Sequence, residues 1–253
     1  MTNAPSEVAP ETVPATLRQI IGFSSGFTSE EGRPSFLPYV TQACGKENPR
    51  ILFIPTACGD ADSAIVGFYE TAARVICRPN YLSIVRQHRD MAERVEKADI
   101  IYVGGGNTRN LIALWRASGL DSLLREAWER GTVLCGQSAG AICWFDDAQT
   151  TSTGEPGPVQ CLGFLAGSCS THYDSNPARR PHLHAAVSGG IISAGFALAD
   201  NTGLHFHGTR LHAAIKCEDN RTSYRVDRNA EGIAIETEIP LTLIDPAACG
   251  PCI

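Results

Sequence analysis

Several features that mark other classes of protein are missing from this sequence of 253 residues. No apolar run approaches the roughly 20 residues that span a bilayer. The N-terminus has no basic start followed by an apolar stretch, so it does not predict a signal peptide. The net charge is −6 and no stripe of lysine and arginine appears, which disfavours nucleic acid and anionic membranes as partners. We therefore expect a cytoplasmic protein, monomeric or homodimeric, with neither of these partners.

A clustered set of metal ligands is also missing. The ten cysteines are scattered, several of them inside apolar runs, which predicts buried free thiols in a reducing compartment. Cys249 and Cys252 have redox spacing, but no helix follows to lower a thiol pKa, so we expect a frayed tail. The His-x-His pairs His182/His184 and His205/His207 come without a matching carboxylate or cysteine set. We expect no metal and no cofactor.

What the chain does contain is an alternation of strand-like and helical patterns. Runs such as "RILFIPTA" (50–57) and "DIIYVGGGNT" (99–108) are continuous and apolar, as in strands covered on both faces. Helical spacing fills the gaps, and short strand-like runs follow residue 210. This order predicts one three-layer α/β/α domain over residues 17–253, with a mostly parallel sheet and short antiparallel edge strands near the C-terminus. The proline-containing residues 1–16 are expected to form a flexible arm.

The stretch "VLCGQSAGAICWF" (133–145) places Ser138 between Gly136 and Gly140, directly after a strand-like run. A Gly-x-Ser-x-Gly frame is typical of a tight strand-to-helix turn that exposes a nucleophilic serine. Ligands of open α/β sheets bind beyond the carboxyl ends of strands, where this serine would lie. Alternatively, the glycines only allow a helix to pack closely against a strand.

A serine nucleophile needs a base and an acid that orients the base. His172 in "CSTHYDS" and Asp200 in "LADNTGLHF" each follow an apolar run, which favours them as base and acid. The spacing also permits the order Ser, Asp, His. In that order the acid is Asp174 or Asp200, and the base is His205, His207 or His212.

Four segments together resemble the peptidase E family of serine peptidases, the aspartyl dipeptidases, which are related to cyanophycinase. In the family's order they are "VGGGNT" (103–108), "GQSAGAICWF" (136–145), "HYDSNPARRP" (172–181) and "ADNTGLHF" (199–206). The resemblance covers roughly residues 18–215. It implies a flavodoxin-like sheet akin to class I glutamine amidotransferase domains, with Ser138 as the nucleophile and His172 as the base.

The resemblance implies the remaining site residues as well. The family's third triad member is a glutamate, and here Asp200 fills that position, in "DNTG" instead of an "ENTA"-like run. In the family a basic residue after the catalytic histidine selects an N-terminal aspartate, and a guanidinium suits that carboxylate. Solvated surface arginines are the alternative. We expect substrate contacts from Asn107, Arg179 and Arg180, and oxyanion donors from the N–H groups of Gly106 and Ala139.

The sequence thus predicts a serine peptidase that acts on short peptides, a dipeptidase or aminopeptidase of the aspartyl dipeptidase type. The loop from His172 to "RRP" is shorter than in the enteric dipeptidases. A broader aminopeptidase and a cyanophycinase-like or isoaspartyl peptide hydrolase therefore stay open, as do an esterase and a catalytically silent binding protein. Asp146 and Asp147 are predicted to lie on the helix after Ser138 and to face solvent, with a role as a substitute acid as the alternative.

Overall fold

A computed structural model describes residues 18–27, 35–86 and 90–244. The expected N-terminal arm and the Cys249/Cys252 pair lie outside these residues. In chain order the strands are β1 (Gln19–Phe23), β2 (Arg50–Ile54), β3 (Arg78–Tyr81), β4 (Ile100–Val103), β5 (Val133–Gln137), β6 (Phe145–Thr153), β7 (Glu155–Gln160), β8 (Leu165–Ser170), β9 (Gly195–Ala197), β10 (Thr202–His207), β11 (Arg210–Lys216), β12 (Ser223–Arg228), β13 (Ala234–Ile239) and β14 (Thr242–Leu243). The helices are α1 (Leu37–Cys44), α2 (Asp62–Ala72), α3 (Met91–Lys97), α4 (Thr108–Ser118), α5 (Leu120–Glu129), α6 (Ala139–Ile142) and α7 (Arg179–Ser188).

Eight strands form the first sheet, in the order β14-β11-β10-β1-β5-β4-β2-β3. The five strands from β1 to β3 in this order pair in parallel, and β10 pairs antiparallel with both β1 and β11. The predicted parallel sheet with an antiparallel edge is therefore confirmed. The carboxyl ends of β1, β4 and β5 meet at one edge of the sheet.

Helices cover both faces of this sheet. Ile20 and Ile21 on β1 are both buried, although neighbouring strand residues point to opposite faces. Ile20 packs in a core with α3, α4, α5 and α6, whereas Ile21 packs in a second core with α1 and α2. The predicted three-layer α/β/α arrangement is confirmed. None of the described helices is long and apolar enough to cross a membrane.

A second sheet of six strands, in the order β13-β12-β9-β8-β6-β7, was not predicted. One side of it packs on the first sheet, where the rings of Phe145 and Phe196 lie 5.9 and 6.1 Å from the ring of Phe206 on β10. The other side packs against α7, through residues such as Leu183 and Val226. Strands β8 and β9 are parallel neighbours in this sheet, so the segments that follow them emerge side by side.

The prediction that Asp146 and Asp147 lie on a helix is wrong. Helix α6 ends at Ile142, and both aspartates belong to β6, which begins at Phe145. Phe145 and Ala148 of this strand are buried, whereas Asp146 is exposed. Both carboxylates accept hydrogen bonds, Asp146 from the Gly167 N–H on β8 and Asp147 from Ser193 in the loop before β9.

Candidate active site

Ser138 occupies a sharp turn between β5 and α6. Its φ is 54° and its ψ is −115°, a conformation that a residue with a side chain rarely adopts. The Ser138 N–H donates to the carbonyl oxygen of Phe23 on β1 at 2.9 Å, and the Ser138 carbonyl accepts from Ala141 and Ile142. The strained turn is therefore held from both sides, and it directs the serine side chain beyond the end of the sheet.

The glycines around Ser138 are required by close packing. A Cβ on Gly136 would lie 2.3 Å from the carbonyl oxygen of Gly140, and a Cβ on Gly140 would lie 2.2 Å from that of Val103. Both distances are far shorter than any van der Waals contact, so α6 can approach β4 and β5 only because these positions lack side chains. The packing interpretation of the glycine frame thus holds, and the same packing fixes the turn that carries Ser138.

The glycine loop after β4 lies beside this serine. A Cβ on Gly105 would lie 3.2 Å from the Ser138 Cβ. Gly106 has a φ of 138°, and a Cβ there would lie 2.2 Å from the carbonyl oxygen of Ala57. The loop is anchored by the Asn107 N–H, which donates to that carbonyl at 2.7 Å. The main chain of the loop therefore approaches Ser138 without intervening side chains.

His172 and Asp200 complete a line of hydrogen bonds with Ser138. His172 follows β8 and Asp200 follows β9, so the parallel pairing of these strands brings the two segments together. The distance between His172 Nε2 and Ser138 Oγ is 2.9 Å, and that between His172 Nδ1 and Asp200 Oδ1 is 2.7 Å. The imidazole is 31% exposed and the carboxylate 22% exposed. The line is therefore partly sheltered but open to solvent at the imidazole.

The charge on Asp200 determines the direction of these bonds. Burial raises the pKa of Asp200, but hydrogen bonds from His172, Ser175 and Ser24 outweigh this effect and hold the pKa below its ordinary value. The ionised carboxylate only accepts hydrogen bonds, so His172 Nδ1–H donates to it. The lone pair of Nε2 then accepts the Ser138 hydroxyl proton. This tautomer is the one that a general base next to serine requires.

Ser24 was missed by the sequence analysis. It follows β1, is fully buried, and its Oγ donates to Asp200 Oδ1 at 3.1 Å. The same Oγ accepts the main-chain N–H of His172 at 2.7 Å. Ser24 thus fixes the acid and the base with one hydroxyl group. The available signal was a hydroxyl residue at the carboxyl end of the strand-like run "RQIIGFSS" (18–25).

In the structure, Asp174 does not occupy the position of the acid next to His172. One of its oxygens accepts the main-chain N–H of Asp200 at 2.9 Å, and the other accepts Arg221 Nη1 at 3.0 Å. Asp174 therefore supports the Asp200 loop and does not contact His172.

The His172 backbone has a positive φ of 55°. Ser138 and His172, the two residues that meet through this hydrogen bond, thus both have uncommon backbone conformations.

The alternative histidines lie at the other end of the first sheet. Strand β10 pairs Gly203 with Phe23, near Ser138, but it pairs His205 with Ile21 and His207 with Gln19. Since β10 runs antiparallel to β1, His205 and His207 lie progressively farther from the edge that carries Ser138, and His212 lies beside them on β11. They do form a cluster of potential metal ligands among the described residues.

Two of the residues expected to bind substrate, Asn107 and Arg180, already have polar partners within the protein. The Asn107 side chain caps α4 by accepting from the Asn110 N–H, and its amide donates to the carbonyl of Ser152. Arg180 lies 3.2 Å from Glu236 and stacks over Tyr173, 5.0 Å from the ring centre. These contacts direct the Arg180 side chain from α7 toward β13 of the second sheet.

Arg179 lies closer to the centre. It is 5% exposed, and its Nη1 donates to the carbonyl of Gln149 at 3.2 Å. Its Nε has no hydrogen-bond partner among the described residues. Burial lowers the pKa of Arg179, while the charge of Asp200 acts in the opposite direction. Arg179 is thus a buried cation that interacts electrostatically with the acid of the site.

The described cysteines are free. Cys135, three residues before Ser138, is fully buried, and burial raises its pKa well above the ordinary value. Burial likewise raises the pKa of Cys161 to about 12. A thiolate is the reactive form of cysteine, so these residues act as small apolar side chains.

Comparison with known proteins identifies the family to which the chain is similar. Residues 20–214 match the family model described as Peptidase family S51. The chain is 41% identical over 227 residues to the uncharacterized peptidase YgaJ of Bacillus subtilis, with 89% of this chain and 97% of that protein covered. It is 28% identical over 134 residues to peptidase E of Streptomyces coelicolor, a match that spans about half of each protein, 51% and 53%.

The fold has a counterpart among solved structures. A peptidase from an acI-B1 Actinobacterium superposes with a TM-score of 0.64 at 16% identity, covering 91% of this chain and 95% of that one. At this identity the likeness concerns the fold alone.

Proposed function

This chain belongs to peptidase family S51 and is a serine-type peptidase, and from that premise we propose that Ser138, His172 and Asp200 are its catalytic triad and that it cleaves short peptides. The observation that carries the proposal is the continuous line of hydrogen bonds at 2.9 and 2.7 Å from Ser138 through His172 to Asp200. This is the geometry of a nucleophile, a base and an orienting acid. Cytoplasmic location stays a prediction from the sequence.

In the proposed mechanism the Ser138 oxygen attacks the peptide carbonyl carbon while His172 Nε2 takes the hydroxyl proton. The imidazolium, stabilised by Asp200, then donates this proton to the departing amine. An acyl group remains on Ser138. Water, deprotonated by His172, releases it and restores the serine. We assign oxyanion stabilisation to the N–H groups of Gly106 and Ala139, because the neighbouring Gly105 approaches the Ser138 side chain and Ala139 directly follows Ser138 at the start of α6.

Within the proposed peptidase activity we assign to Arg179 a preference for peptides with an N-terminal aspartate. Arg179 is a buried cation that interacts with the charge of Asp200, and its Nε lacks a partner in the described part of the chain. Arg180 is the less suitable residue, because Glu236 already pairs with it.

A panel of dipeptides tests the proposal. It contains Xaa-Ala peptides with the first residue varied, N-acetyl-Asp-Ala, and a dipeptide with a β-linked isoaspartate. Cleavage of Asp-Ala in clear preference to Ala-Ala supports the aspartyl dipeptidase function. Cleavage restricted to the β-linked peptide would transfer the assignment to an isoaspartyl hydrolase, and cleavage of no peptide would contradict it.

Two arginine variants separate the specificity claim from the catalytic one. Arg179→Gln should reduce the ratio of Asp-Ala to Ala-Ala cleavage, whereas Arg180→Gln should leave that ratio unchanged. The ratio is informative because loss of general stability lowers both rates together. An unchanged ratio in Arg179→Gln would remove Arg179 from substrate selection.

A further inference from the structure

Three histidines meet on one face of the first sheet, at the end of β10 farthest from Asp200. Potential ligand atoms of His205, His207 and His212 all lie within 4.8 Å of one another. The rings of His207 and His212 stack with centres 3.8 Å apart, and the His205 ring lies edge-on to both, at 4.8 and 5.3 Å. Three imidazoles are brought together from two strands.

A β-bulge produces this convergence. Strand pairing shifts between His205, which lies opposite Ala213, and Phe206, which lies opposite Leu211. His212 is the extra residue on β11 and has no partner on β10. A bulge changes the direction of a side chain relative to the regular alternation. Here it allows His212 to join the face that already carries His205 and His207, two residues apart on β10.

The tautomer of His205 is fixed by a second layer of contacts. The Gln19 amide donates its N–H to the carbonyl of Ala43 at 3.0 Å, which orients the Gln19 carbonyl oxygen toward His205. That oxygen lies 2.8 Å from His205 Nε2 and can only accept, so Nε2 carries the proton. The lone pair therefore sits on Nδ1, 2.8 Å from the hydroxyl of Tyr39.

This arrangement resembles the way in which proteins prepare a histidine for a metal. A ligating imidazole commonly donates its other N–H to a fixed acceptor, which sets the tautomer and the orientation of the ring. Gln19 provides that acceptor for His205. The side chains of His207 and His212 are not held by any hydrogen bond in the part of the chain that is described, so they can turn their nitrogens toward a shared ion.

We propose that His205, His207 and His212 form a zinc-binding site, separate from the catalytic centre, that links β10 to β11. Three imidazole nitrogens at about 2.0–2.1 Å, with water as a fourth ligand, match the coordination that zinc accepts. At His205 the zinc ion binds Nδ1 and replaces the hydrogen bond from Tyr39. Imidazole ligands favour zinc, copper and nickel over magnesium or calcium.

The proposed zinc site lies away from the proposed catalytic residues. From Gly203 to His207 the strand advances four residues, about 13 Å at the usual rise, and Gly203 itself lies opposite Phe23 next to Ser138. Removal of zinc with EDTA should therefore leave peptide hydrolysis unchanged. The zinc test depends on binding, so its outcome is independent of the proposed triad.

Zinc binding is measured by calorimetry, with thermal unfolding as a second readout. All proteins carry Cys249→Ser and Cys252→Ser, so that this cysteine pair cannot supply a competing site. We expect one zinc per chain and a higher unfolding temperature in its presence. The double variant His207→Ala/His212→Ala should lose more than 100-fold in affinity, and Gln19→Ala should lose about 10-fold, as removal of a supporting partner does.

The matched control uses the other His-x-His pair, on α7. His182 Nδ1 contacts the carbonyl of Pro156, and His184 Nε2 contacts Glu236. The variant His182→Ala/His184→Ala should bind zinc as the parent does. Absence of stoichiometric binding in the parent, or equal affinity in the His207→Ala/His212→Ala variant, would overturn the proposal.

Discussion

The two sheets contribute to the proposed active site in different ways. The first sheet supplies Ser138 and the glycine loop at strand ends that are packed backbone to backbone, without side chains between them. The second sheet supplies His172, and its parallel strands β8 and β9 lead the chain to His172 and Asp200. On the first side the geometry is fixed by steric contact, whereas on the second it is fixed by hydrogen bonds.

Ser24 is the link between these two constructions. It stands at the end of β1 in the first sheet, yet its hydroxyl group holds both the His172 main chain and the Asp200 carboxylate. The alignment of the proposed triad thus depends on how the two sheets are joined. Substitutions on each side should therefore differ in size and in kind.

Loss of the nucleophile should have the largest effect. Ser138→Ala should lower turnover by about 10⁶, because a triad loses nearly all of its activity with its nucleophile. Ser138→Gly should be equally inactive, and glycine tolerates the positive φ of this turn without strain. Steady-state kinetics measures the loss, and circular dichroism checks the fold. Turnover near the parent value in either variant would contradict the assignment.

Loss of the acid, Asp200, should have the second largest effect on turnover. Asp200→Asn should lower turnover by roughly 10⁴, because an amide at this position favours the wrong imidazole tautomer. Asp200→Glu should retain more activity than Asp200→Asn, since it keeps the carboxylate. Asp147→Asn is the control, as Asp147 bonds to Ser193 away from the site. Full activity in Asp200→Asn would remove Asp200 from the triad even if Ser138 and His172 remain.

The link between the sheets should have an intermediate effect. Ser24→Ala should lower kcat by roughly 10- to 100-fold, the cost of one hydrogen bond to a charged group, while KM changes little. Ser25→Ala is a matched control, because Ser25 makes similar contacts to Asn201 but touches no triad residue. Equal kcat values for the two variants would show that Ser24 does not position the triad.

Protonation of His205, at the far end of the first sheet, should change the free energy of unfolding but not the catalytic activity. Burial lowers the pKa of His205 to about 3, from an ordinary value of 6.5. Between pH 6.5 and 3, His205 is therefore mostly neutral in the folded state and mostly protonated in the unfolded chain. The stabilisation is complete above pH 6.5 and is lost as the pH falls toward 3, by up to about 1.4 kcal/mol per pH unit. Urea unfolding from pH 7 to 4 measures this slope.

The matched variant for the pH slope is His205→Gln, which removes the titrating group. Its free energy of unfolding should depend less on pH between 6.5 and 4 than that of the parent, whatever its absolute stability. Identical slopes in the two proteins would show that His205 is not the group responsible.

The sequence revealed the first sheet more completely than the second. Strands such as β2 and β4 are continuous apolar runs, and the helices between them have regular spacing, so periodicity identifies both. Strands β6 and β7, in contrast, carry polar residues such as Asp147 on β6 and Gln160 on β7. Their pairing depends on partners far along the chain, which local patterns do not report.

The sequence predicted that Ser138, His172 and Asp200 lie at strand ends, because each of these polar residues closely follows an apolar run. Such a pattern can be recognised without the structure. The role of Ser24 was not visible, because its contacts span 148 and 176 residues. The occupation of Arg180 by Glu236 and of Asn107 by helix capping was hidden for the same reason. Composition shows which groups are available, but only the packed structure shows which are already paired.

The most direct test of the triad is the site at which a fluorophosphonate reacts, determined by mass spectrometry of the labelled protein. If His172 activates Ser138, the parent protein should carry a single adduct on Ser138, and both Ser138→Ala and His172→Ala should remain unlabelled under the same conditions. An adduct on another residue, or undiminished labelling of Ser138 in His172→Ala, would contradict the Ser138–His172–Asp200 assignment.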